Sequence, residues 1–247
     1  MLVGGVDPGT GAGVTRDLLV ASRLGVSGIV IGTAWTDQDS TLVRAVEPRL
    51  PESVHTSLAA SLAKVGAQGA AVKIGMVATA SIARAILSAL GTFAGPVIYD
   101  PVLRASSGGP LYDGDREAIL ALARRSTLVT PNLGEAAWLL GRPVRTESDA
   151  RAAARELCEL GLVSVLVKGG HLEGAATDVL LSPAGERLFS SPRVAGPSPR
   201  GTGCALATAI AVKLAGGETL EQAVASAKAW LTEHIKNARV VGDERHL

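Results

Sequence analysis

Aromatic residues are scarce. Three tryptophans, two tyrosines and two phenylalanines make up only 3% of the 247 residues. No basic run interleaves with them, so a base-stacking platform for nucleic acid is not expected. An excess of one charge is also missing. Lys plus Arg number 24 against 23 Asp plus Glu, a net charge of +1, which argues against nucleic-acid or membrane partners held by bulk electrostatics. The two cysteines, Cys158 and Cys204, form no disulfide framework and fit a reducing compartment, the cytoplasm. No apolar run approaches about eighteen residues. The N-terminus carries no basic leader, so neither a spanning helix nor a secretory signal is expected. The four histidines lack metal-ligand spacing.

The rest of the chain is apolar and small. Hydrophobic residues make up 47%, enough for one sizeable core, and no repeat or low-complexity linker divides 1–247. A single domain is therefore expected. Short apolar runs suited to buried strands fall at 2–6, 28–33, 69–74, 96–99, 127–129 and 163–167. Amphipathic stretches lie between and beside them, near 14–24, 51–65, 79–90, 114–124, 132–140 and 147–160. This alternation predicts an α/β fold of three αβα layers around a mostly parallel sheet. Segments 178–181 and 186–190 flank a Ser-Pro-Ala-Gly turn and predict an antiparallel hairpin at the sheet edge. Segment 42–48 reads as an edge strand or a flap. A last helix starts at Thr219-x-x-Gln222, with Leu220, Val224, Ala227, Leu231 and Ile235 on one face. The tail from Val240 is expected to fray.

In such a sheet, ligands sit at the carboxyl ends of the strands, so chemistry is expected in the loops there. The richest stretch is Pro199-Arg200-Gly201-Thr202-Gly203-Cys204, which runs into an apolar pattern through Ala209, Ile210 and Leu214. It reads as a glycine loop opening a helix. The first N–H groups of a helix have no internal partner and its dipole is positive there, so the loop is a ready anion site. Cys204 is then either a base whose thiolate the dipole favours or a small hydrophobe buried under a tight loop.

The other loops each carry two readings. Asp7-Pro8-Gly9-Thr10-Gly11-Ala12-Gly13 is neither a dinucleotide fingerprint nor a P-loop. It permits close approach of a flat ligand, or it is simply a tight turn. Gln38, in the polar stretch after the second run, offers a paired donor and acceptor to a heterocycle, or is a solvated loop residue. Met76 is core filler or ligand contact. Asp100 orients a metal-bound water or caps a turn. Asn132 and Glu135 make a capping-box pair, with Gly141 closing that helix. The same two side chains suit a hydrated Mg²⁺. In Lys168-Gly169-Gly170-His171, the lysine suits a phosphate and the glycines suit a nucleotide, while His171 reads as a loop or supporting residue. Thr146-x-x-Asp149 starts a helix that buries Ala153, Leu157 and Leu160, which leaves Cys158 a structural role.

Taken in order, these segments resemble the ribokinase-like superfamily, and most closely the hydroxymethylpyrimidine and phosphomethylpyrimidine kinases of thiamin biosynthesis. The most specific parts are Gly201-Thr-Gly-Cys204, Lys168-Gly-Gly-His171, Asp100-Pro-Val102 and Thr130-Pro-Asn-Leu-Gly-Glu135. The resemblance implies an ATP- and Mg²⁺-dependent phosphotransferase, a homodimer by default. Cys204 would be the base beside the substrate hydroxymethyl, with Gly201, Thr202 and Gly203 completing the anion hole. Asn132, Glu135 and Asp100 would belong to the Mg²⁺–phosphate network, and Lys168, Gly170 and Arg200 to the nucleotide phosphates. Ala12, Gly13, Gln38, Met76 and Val102 would form the pyrimidine pocket.

Departures from the family pattern surround the anion loop. Pro199-Arg200 replaces the usual Thr-His, Asp7-Pro-Gly-Thr-Gly replaces Asp-Pro-Ser-Gly-Gly, and Ser106 replaces a frequent lysine. Arg200 adds a cation that would favour an already phosphorylated substrate. A pyridoxal or pyridoxine kinase is the neighbouring enzyme reading. A non-catalytic pyrimidine-binding regulator is the reading from another class.

Overall fold

The computed structural model describes residues 1–246 apart from 10, 40, 171–174, 197–198 and 242–243; for 239–241 and 244–246 it describes the backbone alone. His171 lies outside the described residues.

The strands are β1 (Leu2–Val6), β2 (Val30–Gln38), β3 (Val43–Pro48), β4 (Val72–Ile74), β5 (Val97–Tyr99), β6 (Leu128–Val129), β7 (Val165–Val167), β8 (Ala176–Ser182) and β9 (Gly185–Ser191). They form one nine-stranded sheet in the order β3-β2-β1-β4-β5-β6-β7-β8-β9. Neighbours from β2 through β7 pair parallel, while β3, β8 and β9 add antiparallel edges. Helices α1 (Gly13–Arg23), α2 (Pro51–Val65), α3 (Ala80–Leu90), α4 (Arg116–Arg124), α5 (Leu133–Leu140), α6 (Glu147–Glu159), α7 (Thr202–Ala215) and α8 (Leu220–Lys236) cover both faces.

The layers follow from the two-residue period of a strand. Val97 and Tyr99 of β5, and Val165 and Val167 of β7, pack into the core beneath α2 to α6. The residues between them, Ile98 and Leu166, face the opposite core with the apolar faces of α7 and α8. Both faces of these three-residue strands are apolar, as buried parallel strands require.

Three expectations need correction. The second strand does not end at Thr33: β2 runs on to Gln38, pairing antiparallel with β3 from Ala34↔Pro48 to Gln38↔Val43. Its polar residues form a two-stranded flap beyond the core, where polarity does not exclude a strand. Leu160 is not buried but caps α6 at 39% exposure, because the helix ends one residue before it. The tail does not simply fray. β10 (Arg239–Val241) and β11 (Glu244–His246) pair antiparallel, in keeping with the β-branched Val240 and Val241.

Candidate active site

The loops at the carboxyl ends of β1, β2, β4, β5, β6 and β7 surround a cleft of about 510 Å³. Its floor comes from small residues. A Cβ on Gly5 would lie 2.7 Å from the Met76 sulfur, so glycine in β1 lets Met76 cross beneath the acceptor side. Asp7 is buried and organises the first loop: Oδ1 accepts the Gly9 N–H and Oδ2 the Ala12 N–H, each at 3.0 Å. Thr36 donates to the Val6 carbonyl, and Gln38 Nε2 donates to Thr36 Oγ1 at 3.1 Å. The donor side of the Gln38 amide is thus anchored to the flap.

The anion loop closes on this first loop. Gly201 caps α7 with φ of +73°, and a Cβ there would lie 2.5 Å from the Gly11 carbonyl oxygen. Only glycine satisfies both the left-handed backbone and the contact. Arg200 reaches over the same loop, with Nη2 3.6 Å from Asp7 Oδ2. Thr202, Gly203 and Cys204 form the first turn of α7, and Cys204 is buried.

Beneath Cys204 lies a charged network inside the apolar layers. Lys73, between Val72 and Ile74 in β4, faces the α1–α7 side. Its ammonium donates to Asp17 Oδ2 at 2.7 Å, and Thr208 of α7 donates to Asp17 Oδ1 at 2.8 Å. Burial works against the Lys73 charge, but Asp17 holds its pKa above the ordinary lysine value. Burial also pushes the Cys204 thiol up to about 11, against the pull of Lys73. Cys204 therefore holds its proton at neutral pH.

On the other side of the α7 N-terminus stands Lys168. Its backbone N–H donates to the Pro131 carbonyl, and its ammonium donates to Asp100 Oδ1 at 2.5 Å and lies 4.0 Å from Glu135 Oε2. A Cβ on Gly203 would come within 3.1 Å of that ammonium, so the cation sits directly over the helix end. Burial opposes the Lys168 charge, yet Asp100 and Glu135 raise its pKa to about 12. Glu135 itself is pushed up to about 7 by burial, with Lys168 pulling it down and Asp100 pushing it further up. The expected capping box forms, with Asn132 Oδ1 accepting the Glu135 N–H and Glu135 Oε2 accepting the Asn132 N–H. Gly141 closes that helix in the left-handed region.

The residues assigned from the sequence to acceptor, nucleotide, metal and anion loop line this one cleft. Ala12, Gly13, Gln38, Met76 and Val102 lie toward the first loop and flap, while Asp100, Asn132, Glu135, Lys168 and Gly170 lie toward β5 to β7. Arg200, Gly201, Thr202, Gly203 and Cys204 stand between them. Sequence reading missed Asp7, Asp17, Lys73 and the pair Asp178–Lys228, all buried. The available signal was a lysine inside the apolar run Ala70-Ala71-Val72-Lys73-Ile74, where only a paired charge is tolerated.

The family model described as phosphomethylpyrimidine kinase matches residues 7–246. The hydroxymethylpyrimidine/phosphomethylpyrimidine kinase of Aquifex aeolicus is 34% identical over 97% of this chain and 95% of its own. The thiamine biosynthesis bifunctional protein ThiED of Geobacter sulfurreducens is 38% identical over 98% of this chain, which spans half the length of that relative. Among solved structures, pyridoxal kinase from Staphylococcus aureus in complex with AMP-PCP and pyridoxal superposes with a TM-score of 0.85. It is 26% identical and covered to 91%, over 99% of this chain.

Proposed function

The chain belongs to the phosphomethylpyrimidine kinase family, and from that membership we propose that it transfers the γ-phosphoryl group of ATP to 4-amino-5-hydroxymethyl-2-methylpyrimidine, its monophosphate, or both. One observation carries the reading: the N-terminus of α7 separates a small-residue pocket under Gln38 and Met76 from the cation Lys168. The acceptor oxygen attacks the γ-phosphorus from the Gln38 side, and the bond to the bridging oxygen breaks on the Lys168 side. Backbone N–H groups at Gly201 to Cys204 meet the charge spread over the transferring oxygens. Lys168 offsets charge building on the departing diphosphate, and Gly170 gives the nucleotide room.

Cys204 keeps its thiol proton and orients the acceptor hydroxyl. A loose transfer demands little proton removal before the new bond forms, so a strong base is unnecessary, and the hydroxyl proton passes to an oxygen of the transferred phosphoryl group and on to solvent. Gln38 meets the ring edge, with Ala12, Gly13, Met76 and Val102 enclosing its faces. Arg200, beside the anion loop, favours the monophosphate as acceptor.

Asp100, Asn132 and Glu135 fit a Mg²⁺ ion. Asp100 receives Thr130 and Lys168 at one oxygen and Glu135 receives Asn132 at one oxygen, which leaves each carboxylate a second oxygen for a hard cation. No cluster of three or more His, Cys, Asp or Glu among the described residues forms an all-protein cage, and Mg²⁺ prefers few carboxylates together with substrate phosphates. When bound, it neutralises charge on those phosphates. We further take residues 1–247 as one kinase unit that works in the cytoplasm as a homodimer, the commonest closed assembly. No helix among the described residues is long and apolar enough to cross a membrane.

The likeness to a pyridoxal kinase holding pyridoxal favours a second reading, in which pyridoxal is the acceptor. ADP release with MgATP, run in parallel on the pyrimidine alcohol, its monophosphate and pyridoxal, decides between them. Turnover of a pyrimidine, reduced about a hundredfold or more by Cys204→Ala, is expected. Turnover of pyridoxal alone would replace the first reading by the second. Pyrimidine binding without turnover would indicate a regulator.

A further inference from the structure

We infer that Asp178 and Lys228 form a positioning pair that holds the nucleotide side of the cleft in its binding shape. The inference rests on the assignment of Lys168 and Gly170 to the nucleotide.

On its β8 side, strand pairing along β7 stops at Val167, which faces Val179. Lys168, the cation of the site, still bridges Asn132 on the other side, and the peptide after it leaves the sheet. The N–H groups past Val167 must find partners elsewhere or be lost from hydrogen bonding in a buried place. That of Lys168 goes to the Pro131 carbonyl. That of Gly169 goes to Asp178 Oδ1 at 2.9 Å, so a side chain from the neighbouring antiparallel strand replaces the ladder. The other carboxylate oxygen, Oδ2, accepts from Lys228 of α8 at 2.5 Å, and the same ammonium donates to the Ala176 carbonyl at 2.8 Å.

Both side chains are nearly buried, at 7% and 10% exposure, and both line the cleft beside Gly170. A buried carboxylate is held in one geometry by the donors around it, and a cation among them binds it most firmly. Lys228 thereby fixes the carboxylate whose other oxygen holds Gly169, and through it the turn that aims Lys168 at Asp100. Neither residue lies toward Gln38 or Met76, so the pair governs one substrate and not the other. A residue that served only global packing would affect both sides alike.

The test is calorimetric binding of ADP and, separately, of the hydroxymethylpyrimidine to the full chain and its variants, with thermal unfolding as control. Lys228→Met is expected to weaken ADP about tenfold or more while pyrimidine affinity stays within about twofold. Lys228→Arg, which keeps the charge, is expected to restore most of the ADP affinity. Asp178→Asn keeps an acceptor for Gly169 but drops the charge, and is expected to fall between. Unchanged ADP affinity in a folded Lys228→Met protein would overturn the pair's role and leave the kinase reading intact. Equal loss of both ligands, or no rescue by arginine, would also overturn it, in favour of a general structural role. A wild-type protein that binds pyrimidine but not ADP would sink the nucleotide assignment itself, and this inference with it.

Discussion

Two protons in the cleft are set by burial, one held well above neutrality and one titrating near it. The Cys204 thiol, pushed up to about 11, stays protonated through the physiological range, and the mechanism uses it as an orienting group. The Glu135 carboxyl, pushed up to about 7, titrates within that range, and this has a consequence for stability. A carboxyl whose folded pKa lies above its unfolded value binds protons more tightly in the folded state. Its contribution is therefore greatest at low pH and is lost as pH rises from about 4.5 toward about 7. In metal-free protein with a chelator present, Glu135→Gln removes that slope, because the amide still accepts the Asn132 N–H but cannot ionise. Denaturant unfolding should show the variant equal to wild type near about pH 5 and more stable by about 3 kcal/mol near about pH 8. Parallel curves at both pH values would show that Glu135 is not the group responsible.

At the level of loops and helices, the site depends on the junction of the β1 loop with the start of α7. Gly201 holds a left-handed φ with no room for a Cβ beside the Gly11 carbonyl, so the two loops cannot part without moving the anion hole. Gly201→Ala should destabilise the fold by about 1–3 kcal/mol and lower kcat about a hundredfold or more. The test is unfolding and turnover on the same preparation; near-normal kcat would show that the N–H groups there do not act on the phosphoryl group. The glycine loop was legible in the sequence because Gly-x-Gly-Cys ahead of an apolar helical pattern has few other meanings. The capping boxes at Asn132 and Thr219 were legible too, since each is written within four residues. The Lys73–Asp17–Thr208 network was not, because its members stand 56 and 191 positions apart and only the closed sheet brings them together. Segment 42–48 was legible as the edge strand β3, but the outer half of β2 that pairs with it was not, for a different reason. Strand β2 leaves the core after Ala34, and beyond it the sequence is nearly as polar as a loop.

For the whole molecule, short continuous apolar runs alternating with helical patterns were enough to place nearly every strand of the parallel core, because both faces of the central sheet are buried. The antiparallel edges carried the turn signals of a hairpin. Composition argued against several partners but did not identify a substrate; the loops the sheet collects at one end pointed to one. The central claim is that these loops act together on a pyrimidine and ATP, and it concerns bond formation, so the product tests it most directly. Phosphorus NMR of the hydroxymethylpyrimidine incubated with MgATP and the protein should reveal a pyrimidine phosphate ester, and a diphosphate where the monophosphate is also accepted. Both should form about a hundredfold or more slowly with Cys204→Ala. ADP and inorganic phosphate with no phosphorylated pyrimidine, or unchanged product with Cys204→Ala, would contradict the account.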